Sequence, residues 1–600
     1  MKLSEMFSRS STTSSTTESL KLRKHTPWIS GPLDNKAVKA HHGTHEETKM
    51  NTEENVIEFD ATRLHHTDSD APMFKHHHEA TSIELFYDLF FVANLATFTA
   101  NHEIDTAETL ASYVGFFTLM WFTWLQTSLF DVRFSSDSVF QRAFKLISFG
   151  VFTGFAVVGP IFETGKEFQD AKAFKDMSLL LMVSRLALTV EYGVVLWYVR
   201  GYKKVFMPLL LHIGILFVSA MVFLGLTFSF KYETDAQGNS VHKQKVTAAS
   251  YSFVGWYVIV ILEAIAVVAV SSFWRVVSFK HTHLVERVGL LTLIVMGEGI
   301  IGMTKSVTYV ARYAMYPSSQ TIGVVFAAVC LFYLLWVLYF DQIEHDRFGT
   351  IRQQIWAMLH YPLHVAIVLT VEGSTHFITF WIAVENLIRL DDAIVFIEEN
   401  FSDNTTSFVN GLQATLNSFD ADFKRESIPD FTYNLTQIQS LDVTKPEDYE
   451  VVLTIVDDIY TSLFSWIFRI FGFRLSDGLS KNAKDNYDTA HAVYQAFSTT
   501  FLFFLISAGS VLIILGIMYW FGKNHKTRGE MALVFVRLLA GIGLALLSTT
   551  KYTVASDNLI SHPMMIPLVV MVYLIVVGID NAVIRHTNKT RAKAPKSDSV

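Results

Sequence analysis

About a dozen stretches of roughly twenty mostly apolar residues dominate this chain, and runs of that length point to one environment, the lipid bilayer. A hydrocarbon core of about 30 Å is crossed by roughly 20 helical residues. Within it every backbone N–H and C=O must bond inside its own segment, so runs of this length imply helices. They lie near 83–100, 110–130, 143–162, 177–199, 205–229, 251–275, 286–304, 321–340, 356–381, 497–521, 531–550 and 563–583. The expected fold is therefore all-α: a polytopic helical membrane bundle of about 12 transmembrane helices with a disordered N-terminal tail. Composition agrees, since only 17% of the 600 residues are charged, against about 25% in soluble domains.

Residues 1–80 hold no apolar core of a signal peptide, only a Ser/Thr run (Ser8 to Ser19) and charged, His-dotted sequence that includes His76-His77-His78. They read as a disordered cytoplasmic tail, so the first apolar run must itself act as the insertion signal. The net charge of −8 is spread out with no Lys/Arg stripe, which excludes nucleic acid as a partner. Cys330 is the only cysteine, so neither an intrachain disulfide nor a cysteine metal cage can form. No nucleophile elbow, P-loop, kinase set or CxxC is present, and Lys305 lies at the outer end of the seventh run rather than mid-span. Neither enzyme activity, nor a cofactor, nor a metal is expected.

Orientation follows from basic residues, which stay cytoplasmic. With a cytoplasmic N-terminus, Arg133, Arg142 and Lys145 follow the second run, Arg200, Lys203 and Lys204 the fourth, and Arg275, Lys280 and Arg287 the sixth, all on the inner side. The tail 584–600 is basic, with Arg585, Lys589 and Arg591 among its residues, and is also cytoplasmic; the plasma membrane is the expected location. Lys231, Lys243 and Lys245 in the 231–250 loop are exceptions to this pattern, and 163–176 mixes both signs. The longest loop, 384–496, falls on the outer side and carries two glycosylation acceptors, Asn404 and Asn434. Within it 451–475 is apolar but holds Asp457, Asp458 and Arg469, which suits an interfacial amphipathic helix; if it crosses, everything after it inverts. The chain thus divides into the tail 1–80, a core 81–383 of about nine spans, the outer loop 384–496, three C-terminal spans in 497–583 and the basic tail 584–600.

Charge inside the apolar runs is where chemistry can sit. Glu84 and Asp88 in the first run lie one turn apart on one helix face. Either they sit at the interface, favoured by the helix dipole, or they form a carboxylate pair facing an internal cavity suited to a proton or cation. In the seventh run Gly297, Gly299 and Gly302 match a dinucleotide fingerprint, but no strand precedes them; in a membrane they let another helix approach. Glu298 between them must be protonated, paired or wetted.

The block Glu84-Leu85-Phe86-Tyr87-Asp88-Leu89, the block Glu286-Arg287-Val288-Gly289-Leu290 to Gly297-Glu298, Trp121 and Trp124, Asp131-Val132-Arg133-Phe134, Ser184-Arg185-Leu186, Tyr339-Phe340-Asp341 and His360-Tyr361-Pro362-Leu363 occur in that family's order. Over about 81–365 the chain thereby resembles the low temperature requirement A (LtrA) membrane proteins. It departs from their pattern where Asp131 precedes the arginine and the following acidic run shrinks to Ser135-Ser136-Asp137. The resemblance implies a membrane class and assigns no reaction or substrate.

Arg185 and Glu191 lie about 240° apart on one helix, so each must point to a different neighbour, Arg185 to an acid of the first or seventh span. Glu263 is a further buried acid. His360, His364, Glu372 and His376 fall within about 160° of the ninth span and read as interfacial histidines rather than metal ligands, because Pro362 intervenes and His-Glu-x-x-His is absent. With more acids than bases in the spans, the expected pathway for a proton, cation or small solute runs through Glu84, Asp88, Arg185, Glu263 and Glu298. The alternative is a non-transporting receptor, scaffold or regulatory factor in stress or cold adaptation, in which the charges pair to fix helix packing.

Overall fold

The computed structural model describes residues 27–33, 80–164, 168–230, 233–234, 240–241, 243–245, 248–279, 282–313, 318–341, 350–423, 426–471, 486–523, 526–552 and 562–593. Helices account for nearly all of them. In order they are α1 (Ser82–Asn101), α2 (Ala107–Phe134), α3 (Val139–Val158), α4 (Ala171–Val199), α5 (Lys203–Thr227), α6 (Val254–Phe273), α7 (Leu284–Tyr313) and α8 (Ser319–Phe340). There follow α9 (Thr350–Met358), α10 (His360–Phe401), α11 (Thr405–Asp422), α12 (Thr432–Gln439), α13 (Pro446–Ile470), α14 (Asn486–Gly522), α15 (Arg528–Leu547) and α16 (Met565–Lys593). The Ser8–Ser19 run and His76–His78 lie outside the described residues.

Polar side chains start these helices by satisfying amides that no helical carbonyl can reach. Glu84 accepts the Thr81 backbone N–H at 3.1 Å, Ser138 accepts from Gln141, Asp170 from Lys172 and Ala173, and Thr527 from Glu530. Among the described residues eleven helices are long and apolar enough to cross a membrane. The runs expected at 110–130 and 286–304 form α2 and α7, which stand outside that eleven but pack inside the bundle with buried polar side chains. Outward faces are apolar: on α6 Leu262 is 57% exposed and Ile265 59%, while Glu263 between them is buried. Such a surface is stable only against lipid. The chain is an integral multi-pass membrane protein.

Two short antiparallel ladders cap one end of the bundle. Phe168–Asp170 pairs with Lys243–Lys245, and Glu233–Thr234 with Ser240–Val241. The first joins the loops after α3 and α5, so the two loops whose charges fit the orientation rule least lie together on one side.

Two helices are too long for a bilayer. α10 has 42 residues, about 63 Å at 1.5 Å each, and α14 has 37. Against the first half of α10 pack α7 and the facing half of α14; against its second half pack α11 and α13. α13 starts near the far tip, where Thr405 bonds the backbone of Leu441 and Val443. It ends level with Phe380, whose ring meets Phe468 at 6.0 Å and Phe497 at 3.5 Å. α13 meets the length and composition needed to cross, yet it lies along the extension of α10 with Asp457 and Asp458 exposed and Val452, Ile455, Ile459 and Leu463 buried. An exposed acid pair in mid-helix is costly against lipid and cheap in water.

Within the tail expected to be disordered, 27–33 docks on the bundle. Pro27 and Trp28 carbonyls accept the Val139 and Phe140 amides, and Ser136 donates to the Ser30 carbonyl at 2.9 Å. At the C-terminal end, α14 and α15 touch backbone to backbone at Gly509 and Gly541, and Arg537 of α15 forms a buried ion pair with Asp580 of α16.

Candidate functional site

The polar side chains inside the bundle form tiers along its length. At the end expected to be cytoplasmic, called inner here, Arg287 of α7 grips Asp88 of α1 with two bonds of 2.7 and 2.9 Å, and Trp124 of α2 donates to the same carboxylate at 2.8 Å. Ser128 accepts from Arg287 at 3.4 Å. One turn nearer the inner surface, His283 faces Glu84 at 3.2 Å, and Glu286 accepts the Ala80 amide. Glu84 and Asp88 therefore share a helix face without sharing a site: Asp88 has its partner on α7, and Glu84 has His283 just before α7 begins. The helix-start reading fits Glu84, which caps α1, but both acids are fully buried rather than at a wetted interface. A carboxylate pair without counter-charge is not what the structure places there.

In the middle tier Arg185 of α4 meets Glu263 of α6 through Nε at 3.1 and 3.2 Å, and donates to Thr123 and Ser184. Its acid thus comes from the sixth span, where the first or seventh was expected. Asp131 pairs with Lys145, and Arg133 lies fully inside, donating to the Leu129 and Val277 carbonyls, Ser271 and Tyr192 with its guanidinium 4.2 Å from the Phe279 ring centre. The surplus of buried acids expected from sequence is thereby largely cancelled by Arg287, Arg185 and Lys145.

His360 and His364 are fully buried, not interfacial. The Trp121 indole N–H donates to His364 Nδ1 at 3.0 Å, which leaves Nε2 as the protonated nitrogen, facing the Thr292 hydroxyl at 2.7 Å. His360 is fixed in the opposite tautomer, with Nδ1 toward the Trp356 carbonyl and Nε2 toward the Tyr339 hydroxyl. Among the described residues no three His, Cys, Asp or Glu side chains converge on a metal-sized site.

The outer tier is different. Glu298 of α7 is 4% exposed and makes no hydrogen bond or ion pair among the described residues. The charges acting on it are Glu372 of α10 and Lys305. Glu372 faces His376 at 3.2 Å, one turn along the same helix. Gly299 explains why α7 and α10 come so close: a Cβ there would lie 2.0 Å from Val371. Gly302 faces Thr375 more loosely, while Gly297 has open space and takes no part in the contact expected of it.

Reading the spans one at a time leaves Lys145, His283, Trp124, Glu191 and Glu372 out of the candidate set, since none belongs to an acid pair or an acid–glycine motif. Glu191 carried a usable signal, being an acid in an apolar run that its helix-mate Arg185 cannot reach.

A family model described as "Bacterial low temperature requirement A protein (LtrA)" matches residues 79–384. No curated protein and no solved structure matches the chain.

Proposed function

Because the chain belongs to the low temperature requirement A (LtrA) family and is a multi-pass helical membrane protein, we propose that it is a transporter or channel-like protein for a proton, cation or small solute, with its pathway along the seam between α7 and α10. The observation that carries this reading is Glu298, a carboxylate buried in the outer half without a partner and set against a second acid, Glu372. A buried acid beside a second, partly buried one favours uptake of a proton or cation; the basic groups already there are Lys305, which acts on Glu298, and His376, which pairs with Glu372. From there the seam leads inward past His364 and Thr292 to the Arg287–Asp88 pair. No catalytic role is proposed.

In proteoliposomes loaded with a pH-sensitive dye, the wild type is expected to carry a proton or cation current. Glu298→Gln should lower it by on the order of tenfold, equivalent to about 1.4 kcal/mol at the barrier. Absence of flux in correctly folded wild type would remove the transport reading. A second reading, a non-transporting receptor, scaffold or regulator, is favoured by the charge neutrality of the buried Arg287–Asp88 and Arg185–Glu263 pairs, which suits packing. Under it, reversing both charges of one pair restores folding while flux stays absent throughout.

The orientation proposed places 384–496, with the far half of α10, outside the plasma membrane and both tails inside. Asn404 is exposed at the start of α11. In a glycosylating host, Asn404→Gln should reduce a glycosidase-sensitive mobility shift of the wild type and Asn404→Gln/Asn434→Gln should abolish it; a wild type without any shift would count against this orientation.

A further inference from the structure

Between the inner ends of α1, α2, α3 and α4 lies a partly open cavity of about 480 Å³. Its charged lining is Asp131 with Lys145, Asp137 with Arg142, and Glu191. The first two sets are ion pairs, the second with bonds of 2.8 and 3.0 Å, and each is neutral in itself. Among the described residues of the lining that leaves Glu191 of α4 as the one formal charge without an ion-pair partner. It is 5% exposed and makes no hydrogen bond or ion pair among the described residues. The rest of the wall is hydroxyl and amide, from Thr81, Ser136 and Gln141 among others. The docked N-terminal segment closes the flank, where Ser30 and Pro32 border Glu191 on its other side.

We infer that this cavity binds a small organic cation bearing a primary ammonium group, with Glu191 as its counter-ion. A carboxylate this deeply buried takes up a proton, a cation or a dense set of donors, and among the described residues the one cation acting on it is Lys145, which is already bonded to Asp131. Size selects an organic ligand: the volume lies within the range of about 300–1,000 Å³ typical of small-molecule sites. A bare metal ion would leave most of it to water. An ammonium has three N–H donors and no acceptor, which matches a cavity wall that carries a carboxylate and several hydroxyl oxygens. Lys145 acts on Glu191 but is bonded to Asp131, so one ammonium serves two carboxylates and the three groups keep one net negative charge.

This site stands apart from the transport reading, because binding can be measured in detergent without a gradient. Full-length protein titrated with putrescine in a calorimeter should show saturable binding, and 1,4-butanediol, of the same skeleton without charge, should show none. Glu191→Gln should weaken putrescine binding at least about tenfold. Ser135→Phe, which fills the cavity and leaves the carboxylate in place, should block binding and decides the matter if the glutamine variant does not fold. Equal behaviour of putrescine and butanediol, or wild-type affinity in a folded Glu191→Gln or Ser135→Phe protein, overturns the assignment. A protein that binds putrescine but moves no ion keeps this site and loses only the proposed function.

Discussion

Asp88→Ala should cost about 3–5 kcal/mol of stability, enough to remove most of the folded protein from a detergent extract. Arg287 is fully buried, and among the described residues Asp88 is the one carboxylate bonded to it, held by two bonds and by the Trp124 indole. Without Asp88 a guanidinium is left inside the bundle with Ser128 as its one remaining hydrogen-bond partner among the described residues, and that unpaired charge, rather than the lost attraction, sets the size of the effect. The double variant Asp88→Leu/Arg287→Leu removes the pair together and should recover most of the loss. Size-exclusion profiles of a fluorescent fusion after graded heating measure both. An Asp88→Ala protein as heat-resistant as the wild type would show that the pair does not carry the packing of α1 on α7.

Gly541→Leu should be nearly as damaging, at or beyond the upper end of the roughly 1–3 kcal/mol seen for overpacking. A Cβ at this position would sit 2.5 Å from the Gly509 carbonyl oxygen and 2.7 Å from Ile513, and one at Gly509 would sit 2.3 Å from the Gly541 carbonyl. Backbone has nowhere to move unless α14 and α15 separate along their length, because close backbone approach is what small residues provide between membrane helices. Two residues further on, Gly543 is exposed with nothing within 4 Å, so Gly543→Leu should behave as wild type. Limited proteolysis of the 523–528 connection reads the separation directly. Equal resistance in Gly541→Leu and Gly543→Leu would show that the crossing tolerates the side chain.

The helices were legible because the bilayer imposes a length and an apolar content on each span independently of its neighbours. The acids stood out for the same reason: Glu84, Asp88, Glu263 and Glu298 interrupt apolar runs. Their partners were not legible. Asp88 and Arg287 are 199 residues apart, and nothing local to either names the other. Arg185 illustrates the limit, since helix periodicity correctly excluded Glu191 as its partner but could not choose Glu263. The long loop shows the same boundary from the other side. Its apolar helix α13 meets the length and composition of a span, and only its contacts with the far half of α10 reveal where it lies.

By itself the sequence determined the membrane class, the family, the position of nearly every helix and the list of charges that must be accounted for, because each of these depends on local composition and period. Only the tertiary structure decided which charges cancel. Arg287, Arg185 and Lys145 neutralise Asp88, Glu263 and Asp131, and among the described residues that leaves Glu298 at one end and Glu191 at the other as buried carboxylates of the spans without a hydrogen bond or ion pair. The physical reason is that burial makes charge compensation obligatory, while the choice of partner is made by packing between helices far apart in the chain.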